Sequence, residues 1–329
     1  MQRFDNKVTK QFGERNVATV EMRYKSLSGH LLKRFGERVH KIAIDAGMSC
    51  PNRDGTISRQ GCFFCNRLGS GTGALMTECL SIGEQISRAI QRIETRFKAR
   101  KFISYLQSFS NTYAPLPVLK AIYEEALSNK AVVGLSVATR PDCLNYQILE
   151  LLGNYGKNKM VWLELGLQSA HDVTLKKINR GHDVACFSKA VEKARDFGLS
   201  ICAHVILGLP GETREMMLET ARFLSSLQVE GVKIHLLYVL KGTPFASWYA
   251  HGKFKCLERH EYVELVVDFI ELLRKDIIIH RLTGDPPPGE LIAPGWALDK
   301  SATLRLVQEC LERRDTWQGK RLMTFSAGR

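Results

Sequence analysis

Six short apolar runs, each followed by a stretch with helical spacing, constrain this chain more than any other feature. They fall at 39–45 (VHKIAID), 102–107, 132–138, 160–167 (MVWLELGL), 200–207 (SICAHVIL) and 232–240 (VKIHLLYVL). A strand with one wet face alternates polar and apolar residues, whereas near-continuous apolar runs suit strands covered on both faces. Between the runs, apolar residues recur at helical spacing, as in Ile82, Ile86, Ile90, Ile93 and Phe97. Further helices are expected over 116–127, 146–152, 191–197 and 212–227, with Thr213 the N-cap of the last. Strand–helix alternation of this kind implies a parallel sheet with helices packed on it. Six repeats cannot close an eight-stranded barrel, so the expectation is α/β, an open partial barrel. Beyond it come an amphipathic helix at 262–274, a turn at 285–288 and a basic helical tail. The domain reading is a basic leader over 1–23, a core over 24–245 and a C-terminal extension over 246–329 packed on that core.

The nine cysteines are odd in number and irregularly spaced, which argues against a secreted disulfide framework. Cys50, Cys62 and Cys65 cluster; Cys79, Cys143, Cys186, Cys202, Cys256 and Cys310 are scattered. The cluster directly follows the first strand, and parallel β/α folds gather their ligands at the C-terminal strand ends. Three thiolates suit a [4Fe–4S] cubane with one iron left open. Structural zinc competes, but it asks for four ligands, and no second cysteine pair accompanies Cys62–Cys65. No apolar run is long enough to span a bilayer, and the first residues lack a charge-then-apolar signal pattern. The expectation is a cytoplasmic protein without membrane association.

Seven segments, the first two carrying the clustered cysteines, stand in order: CPNRDGT (50–56), GCFFC (61–65), ATRPD (138–142), ELGLQS (164–169), NRGHD (179–183), GLPGET (208–213) and LKGTP (240–244). Together they resemble the radical SAM superfamily, in particular its YhcC/YtqA-type bacterial members. More distantly they are similar to the Elongator catalytic subunit and oxygen-independent coproporphyrinogen oxidase. The resemblance spans about residues 24–320. It implies a partial (β/α)6 TIM-like barrel with a C-terminal helical extension, carrying a [4Fe–4S] cluster on Cys50, Cys62 and Cys65. It further implies reductive cleavage of S-adenosylmethionine (SAM) to a 5′-deoxyadenosyl radical. The superfamily's usual spacing is CxxxCxxC, whereas eleven residues separate Cys50 from Cys62 here; the YhcC/YtqA and Elongator types share a stretched gap.

By the same resemblance Phe64 lies against the adenine, and Ser110 and Asn111 receive the SAM ammonium. Gln168 faces the ribose with Glu164 deeper on the same strand, Arg180 pairs with the SAM carboxylate, and Gly208 lets the adenine approach. Two ribose-contacting acids of the coproporphyrinogen oxidase pattern fall at Ala138 and His204 here. Arg140 and Asp142 either orient substrate or simply pair with each other across a turn. Cys143 and Cys186 are candidates for hydrogen-atom donation or substrate contact.

The net charge of +13 is uneven: residues 1–41 carry ten basic against four acidic side chains, and the C-terminal tail is also basic. Such ends are either solvated surface or a match for a polyanion. The resemblance points to tRNA, with a wobble-uridine carboxymethylaminomethyl group turned towards aminomethyl, and His235 and Tyr238 lining a base pocket. A reductase, flavodoxin or ferredoxin would supply electrons. Open alternatives are a non-catalytic iron–sulfur sensor binding nucleic acid, and a radical enzyme acting on a small molecule.

Overall fold

The computed structural model describes residues 23–69, 80–97, 99–287 and 289–322. The expected leader apart from Arg23, together with Cys79, Pro288 and the tail from 323, lies outside the described residues. Six parallel strands appear where the apolar runs stand: β1 (Val39–Ile44), β2 (Lys101–Leu106), β3 (Val132–Thr139), β4 (Met160–Gln168), β5 (Ser200–Leu207) and β6 (Gly231–Leu236). They pair in sequence order, curling into a partial TIM-like barrel. The helices between them are α2 (Ile82–Phe97), α3 (Leu116–Leu127), α4 (Tyr146–Gly156), α5 (Asp172–Lys177), α6 (Val184–Asp196) and α7 (Arg214–Ser226), preceded by α1 (Leu27–Phe35).

Three differences from the sequence reading have local causes. The run at 232–240 breaks, because β5 ends at the Leu207–Leu236 pair and Gly208 (φ +90°) turns the chain away. Residues beyond Leu236 therefore have no parallel partner, and β7 (Val239–Leu240) instead pairs antiparallel with β9 (Leu291–Ala293). Helix α6 starts seven residues earlier than expected, since the Asp183 carboxylate accepts from the Cys186 N–H at 2.7 Å and caps it there. The sheet also gains a seventh parallel strand, β8 (Ile278–Arg281), docked on β6 from within the expected extension. The rest of that extension forms α8 (Pro244–Ala250), α9 (Arg259–Glu271) and α10 (Lys300–Arg313). Thr213 caps α7 as anticipated, accepting from Met216 N–H at 3.2 Å.

The period of two along each strand sorts its residues between two environments. Val161, Leu163, Leu165 and Leu167 of β4 join Ile201, Ala203, Val205 and Leu207 of β5 in the core shared with the helices. The alternate residues face the barrel axis in layers. At the bottom, Met160, Trp162, Ile103, Cys202 and Ile278 pack with Leu27, Leu31 and Phe35 of α1, which plugs this end. Above them lies a polar layer centred on Glu164, and above that a cavity opens at the C-terminal strand ends.

Candidate active site

The cysteine loop is held by its own polar residues. Cys50 O accepts from the N–H groups of Arg53 (2.8 Å) and Asp54 (3.1 Å), forming a tight turn. Buried Asn52 donates to Asn179 O at 2.7 Å, and Asn179 donates back to Gly61 O at 2.7 Å. Arg53 donates to Cys65 O at 2.9 Å. Phe63 packs edge-on against Phe245 and Trp248 of α8, at 6.3 and 5.5 Å between centroids. Asn179 occupies a positive φ (+53°), which Asn tolerates better than most residues. The NRGHD segment thus ties the loop down through Asn179, while Asp183 opens α6.

Cys50, Cys62 and Cys65 all line the cavity, about 190 Å³ in volume, with Phe64 beside them. Two polar groups face Cys62 Sγ at 3.4 Å: the Asn52 amide and the Arg180 guanidinium. Contact with Cys65, followed by the nearby charges of Arg180 and Arg140, outweighs burial and draws the Cys62 thiol well below its ordinary range. Arg180 also donates to Gly166 O at 2.7 Å, which joins the cysteine loop to β4. A Cβ on Gly166 would stand 2.6 Å from both Arg180 Nη2 and Gln168 Nε2, so any side chain here would push these two groups aside.

The expected SAM-site residues divide in two. Phe64, Ser110, Glu164, Gln168 and Arg180 line the cavity, as do Ala138, His204, His235 and Tyr238. Asn111 does not; its amide donates to Ser108 O (3.1 Å) and Ala138 O (2.9 Å), fastening the loop after β2 to the end of β3. Gly208 is also away from the cavity lining, and a Cβ there would meet Leu257 at 3.1 Å rather than a ligand. Arg140 and Asp142 pair bidentately at 2.7 and 2.8 Å. Cys143 lines a separate shallow hollow with Thr112 and Asn145, and burial pushes its thiol up to about 12. Cys186 sits in the first turn of α6, away from the cavity lining. Neither cysteine is among the residues that line the cavity, although Cys143 lies close to Ser110, which does.

The polar layer was only partly foreseen. Glu164, fully buried at its side chain, accepts from Lys41 (2.5 Å), His204 (2.6 Å), Lys233 and Ser136. Lys233 also donates to the Tyr105 hydroxyl at 2.9 Å. Burial alone would raise the Glu164 carboxyl, but Lys233, Lys41 and His204 hold it well below the usual carboxylate range. Burial, reinforced by the Lys233 charge, lowers His204 to about 4. Lys41, counted above among the ten basic side chains of residues 1–41, instead turns into the barrel towards Glu164. The signal for these lysines was present: a charge inside a strand covered on both faces must have a buried partner.

The donor set fits an iron–sulfur cluster with a zwitterionic ligand. Three thiols converge beside cationic groups, and buried Ser110 Oγ, Arg140 Nη1 and Arg180 Nε have no partner among the described residues. Such atoms are costly unless something polar meets them.

Residues 55–224, just over half of the chain, match the family model of the Radical SAM superfamily, and residues 229–313 match that of the Radical SAM C-terminal domain. The chain belongs to the radical SAM superfamily; it is a radical SAM enzyme, and its cofactors are SAM and a [4Fe–4S] cluster. Within the superfamily it is 42% identical to YtqA of Bacillus subtilis over 309 residues, covering 92% of this chain and 94% of that protein. It is 39% identical to YhcC of Escherichia coli K12, covering 82% of this chain and 85% of that one. Among solved structures, the archaeal Elp3 of Methanocaldococcus infernus shares the fold at 19% identity and a TM-score of 0.66, covering 85% of this chain and 64% of that one. Among the described residues, no helix is long and apolar enough to cross a membrane.

Proposed function

We propose that Cys50, Cys62 and Cys65 hold the cluster, and that SAM binds between it and the ends of β2, β4 and β5. The convergence of the three thiols on one cavity, with Arg180 bridging Cys62 and Gly166, carries this reading. Held there, the cluster would supply the one-electron reduction that the cleavage of SAM requires. The protein contributes placement. Arg180 offers its unpartnered Nε to an anionic group beside Cys62, Ser110 offers a hydroxyl, and Phe64 a ring face. Gln168, held at φ +78° where β4 bulges against β5, projects its amide at the strand end.

The substrate we propose is tRNA, at a wobble uridine whose carboxymethylaminomethyl group is carried towards aminomethyl, in the cytoplasm, with a reductase, flavodoxin or ferredoxin as electron donor. The placement of His235 and Tyr238 on the cavity wall supports a base pocket, and the +13 charge supports a polyanionic partner. In this proposal the leader over 1–23 assists tRNA binding, residues 24–245 do the chemistry, and residues 246–329 complete the cavity wall. The test is 5′-deoxyadenosine formation by anaerobically reconstituted protein and a strong reductant, with and without tRNA undermodified at the wobble position. Cleavage that rises with this tRNA supports the full reading; cleavage indifferent to it removes tRNA as the substrate. The Cys50→Ala, Cys62→Ala and Cys65→Ala variants should each lose the brown chromophore and its iron, whereas Cys256→Ala should keep both.

A further inference from the structure

Four guanidinium groups line the cavity, and three are engaged. Arg53 binds the Cys65 and Asn66 carbonyls, Arg140 pairs with Asp142, and Arg180 bridges Cys62 and Gly166. Arg281, at the end of β8, makes no hydrogen bond or ion pair among the described residues. It stands in register with Lys233 of β6, whose ammonium is already committed to Glu164 and Tyr105. Its charge reaches along the wall. Burial lowers His235 and raises Tyr238, and Arg281 adds to the first effect and opposes the second. A half-buried guanidinium facing a cavity has forgone part of its hydration without a protein acceptor in return, an arrangement that favours an incoming anion.

We propose that Arg281 fixes a carboxylate carried by the substrate, with His235 and Tyr238 forming the rest of that subsite. A planar guanidinium matches a planar carboxylate through two parallel hydrogen bonds. A phosphate dianion fits less well: it asks for more donors than one guanidinium supplies, and Pro287 beside the site has no N–H to give. The carboxylate of SAM is provided for elsewhere, since Arg180 stands at Cys62 and the Gly166 carbonyl of β4, and β5 and β6 separate β4 from β8, the strand of Arg281. This deepens the function proposed above and rests on the cavity being the catalytic one.

The test is phenylglyoxal modification of the reconstituted wild-type enzyme, read at Arg281 by peptide mass mapping. Acetate, potassium chloride at matched ionic strength, inorganic phosphate and SAM serve as separate competitors. Acetate should slow modification of Arg281 by about threefold at twice its dissociation constant, by simple mass action, with chloride giving no such protection. Protection by chloride equal to that by acetate, stronger protection by phosphate, or complete protection by SAM alone would each overturn the proposal. In turnover, Arg281→Gln should raise the KM for the carboxymethylaminomethyl tRNA about tenfold or more, with kcat changed less and Arg281→Lys recovering part of the loss. An unchanged KM in Arg281→Gln also overturns it. If tRNA fails to stimulate SAM cleavage while acetate still protects Arg281, the tRNA reading falls and the carboxylate subsite stands.

Discussion

Glu164 is one carboxylate answering two buried ammonium groups, and its removal tests whether the polar layer balances by charge. With Gln at this position Lys41 and Lys233 would remain in the barrel without a counter-ion. Breaking one partner out of a buried ion pair typically costs ~3–5 kcal/mol. Glu164→Gln should accordingly lower stability by about 3 kcal/mol in urea titration, and adding Lys233→Met should recover part of that loss. A cost below about 1 kcal/mol would mean that the lysines shed their protons instead. The same layer sets an acid response. His204 is lowered from its ordinary 6.5 to about 4, so between those values the unfolded chain binds a proton that the folded chain refuses. Its contribution is fully present above pH 6.5 and drains as pH falls towards 4, amounting to roughly 3 kcal/mol at most. Glu164, whose carboxyl is also depressed, loses its contribution below that window, as pH passes under the ordinary carboxylate range. The His204→Gln variant, which keeps a donor for Glu164, should flatten the loss between pH 6.5 and 4. A slope equal to that of the wild type would assign the acid response to another group.

Strand β4 shows how one element serves packing and chemistry together. Its odd-numbered leucines face the helices, while Trp162, Glu164, Gly166 and Gln168 step up the barrel axis from plug to polar layer to cavity. Gly166→Ala should displace Arg180 from the Gly166 carbonyl, because the new methyl would stand 2.6 Å from its Nη2. We expect a roughly tenfold or larger fall in SAM cleavage with little change in iron content, since Arg180 positions rather than ligates. Unaltered cleavage would show that Arg180 can shift without consequence. The alternation in β4 was legible in the sequence, because a period of two with two polar residues leaves one arrangement. So were the cysteine loop and the strand runs at 39–45, 102–107, 132–138, 160–167 and 200–207, each within one residue of its observed limits. Strand β8 was not, since four residues reading IIHR are too short to show a period, and its strand identity comes from the β6 edge it covers. The partners of Lys41 and Lys233 also escaped, because residues 41, 164 and 233 meet only once the sheet curls. Asn111 and Gly208, given ligand roles by resemblance, also shape loops, and the buried Asn111 Oδ1 has no partner among the described residues.

Both ends of the described chain meet beneath the barrel, and these contacts predict that the residues from 246 onward unfold together with the strands that carry the cysteine loop. Buried Gln318 is the junction: its carbonyl accepts from Lys25 N–H (2.9 Å), and its amide donates to Arg274 O (2.6 Å) and Ile277 O (2.8 Å). Its own N–H donates to Arg23 O at 2.9 Å, while Ile279 of β8 donates to Lys25 O at 2.8 Å. Arg314 adds contacts to Glu264, Asp268 and Glu271 of α9. Through β8 these ties reach β6, and through β6 the wall that carries His235 and Arg281. Gln318→Ala would leave one backbone N–H and two carbonyls buried without their side-chain partner, at about 1–3 kcal/mol for each group that water cannot reach. The expected result is a lower urea midpoint with an unchanged slope, reported identically by far-ultraviolet circular dichroism and tryptophan fluorescence. Two separated transitions would instead show that the extension unfolds on its own. In that case β8 would be a detachable edge, and a chain shortened to residue 245 should retain cooperative folding. On the geometry seen here such a chain loses the strand that covers β6 and the helix α9 that buries one face of α7, and it should fail to unfold cooperatively.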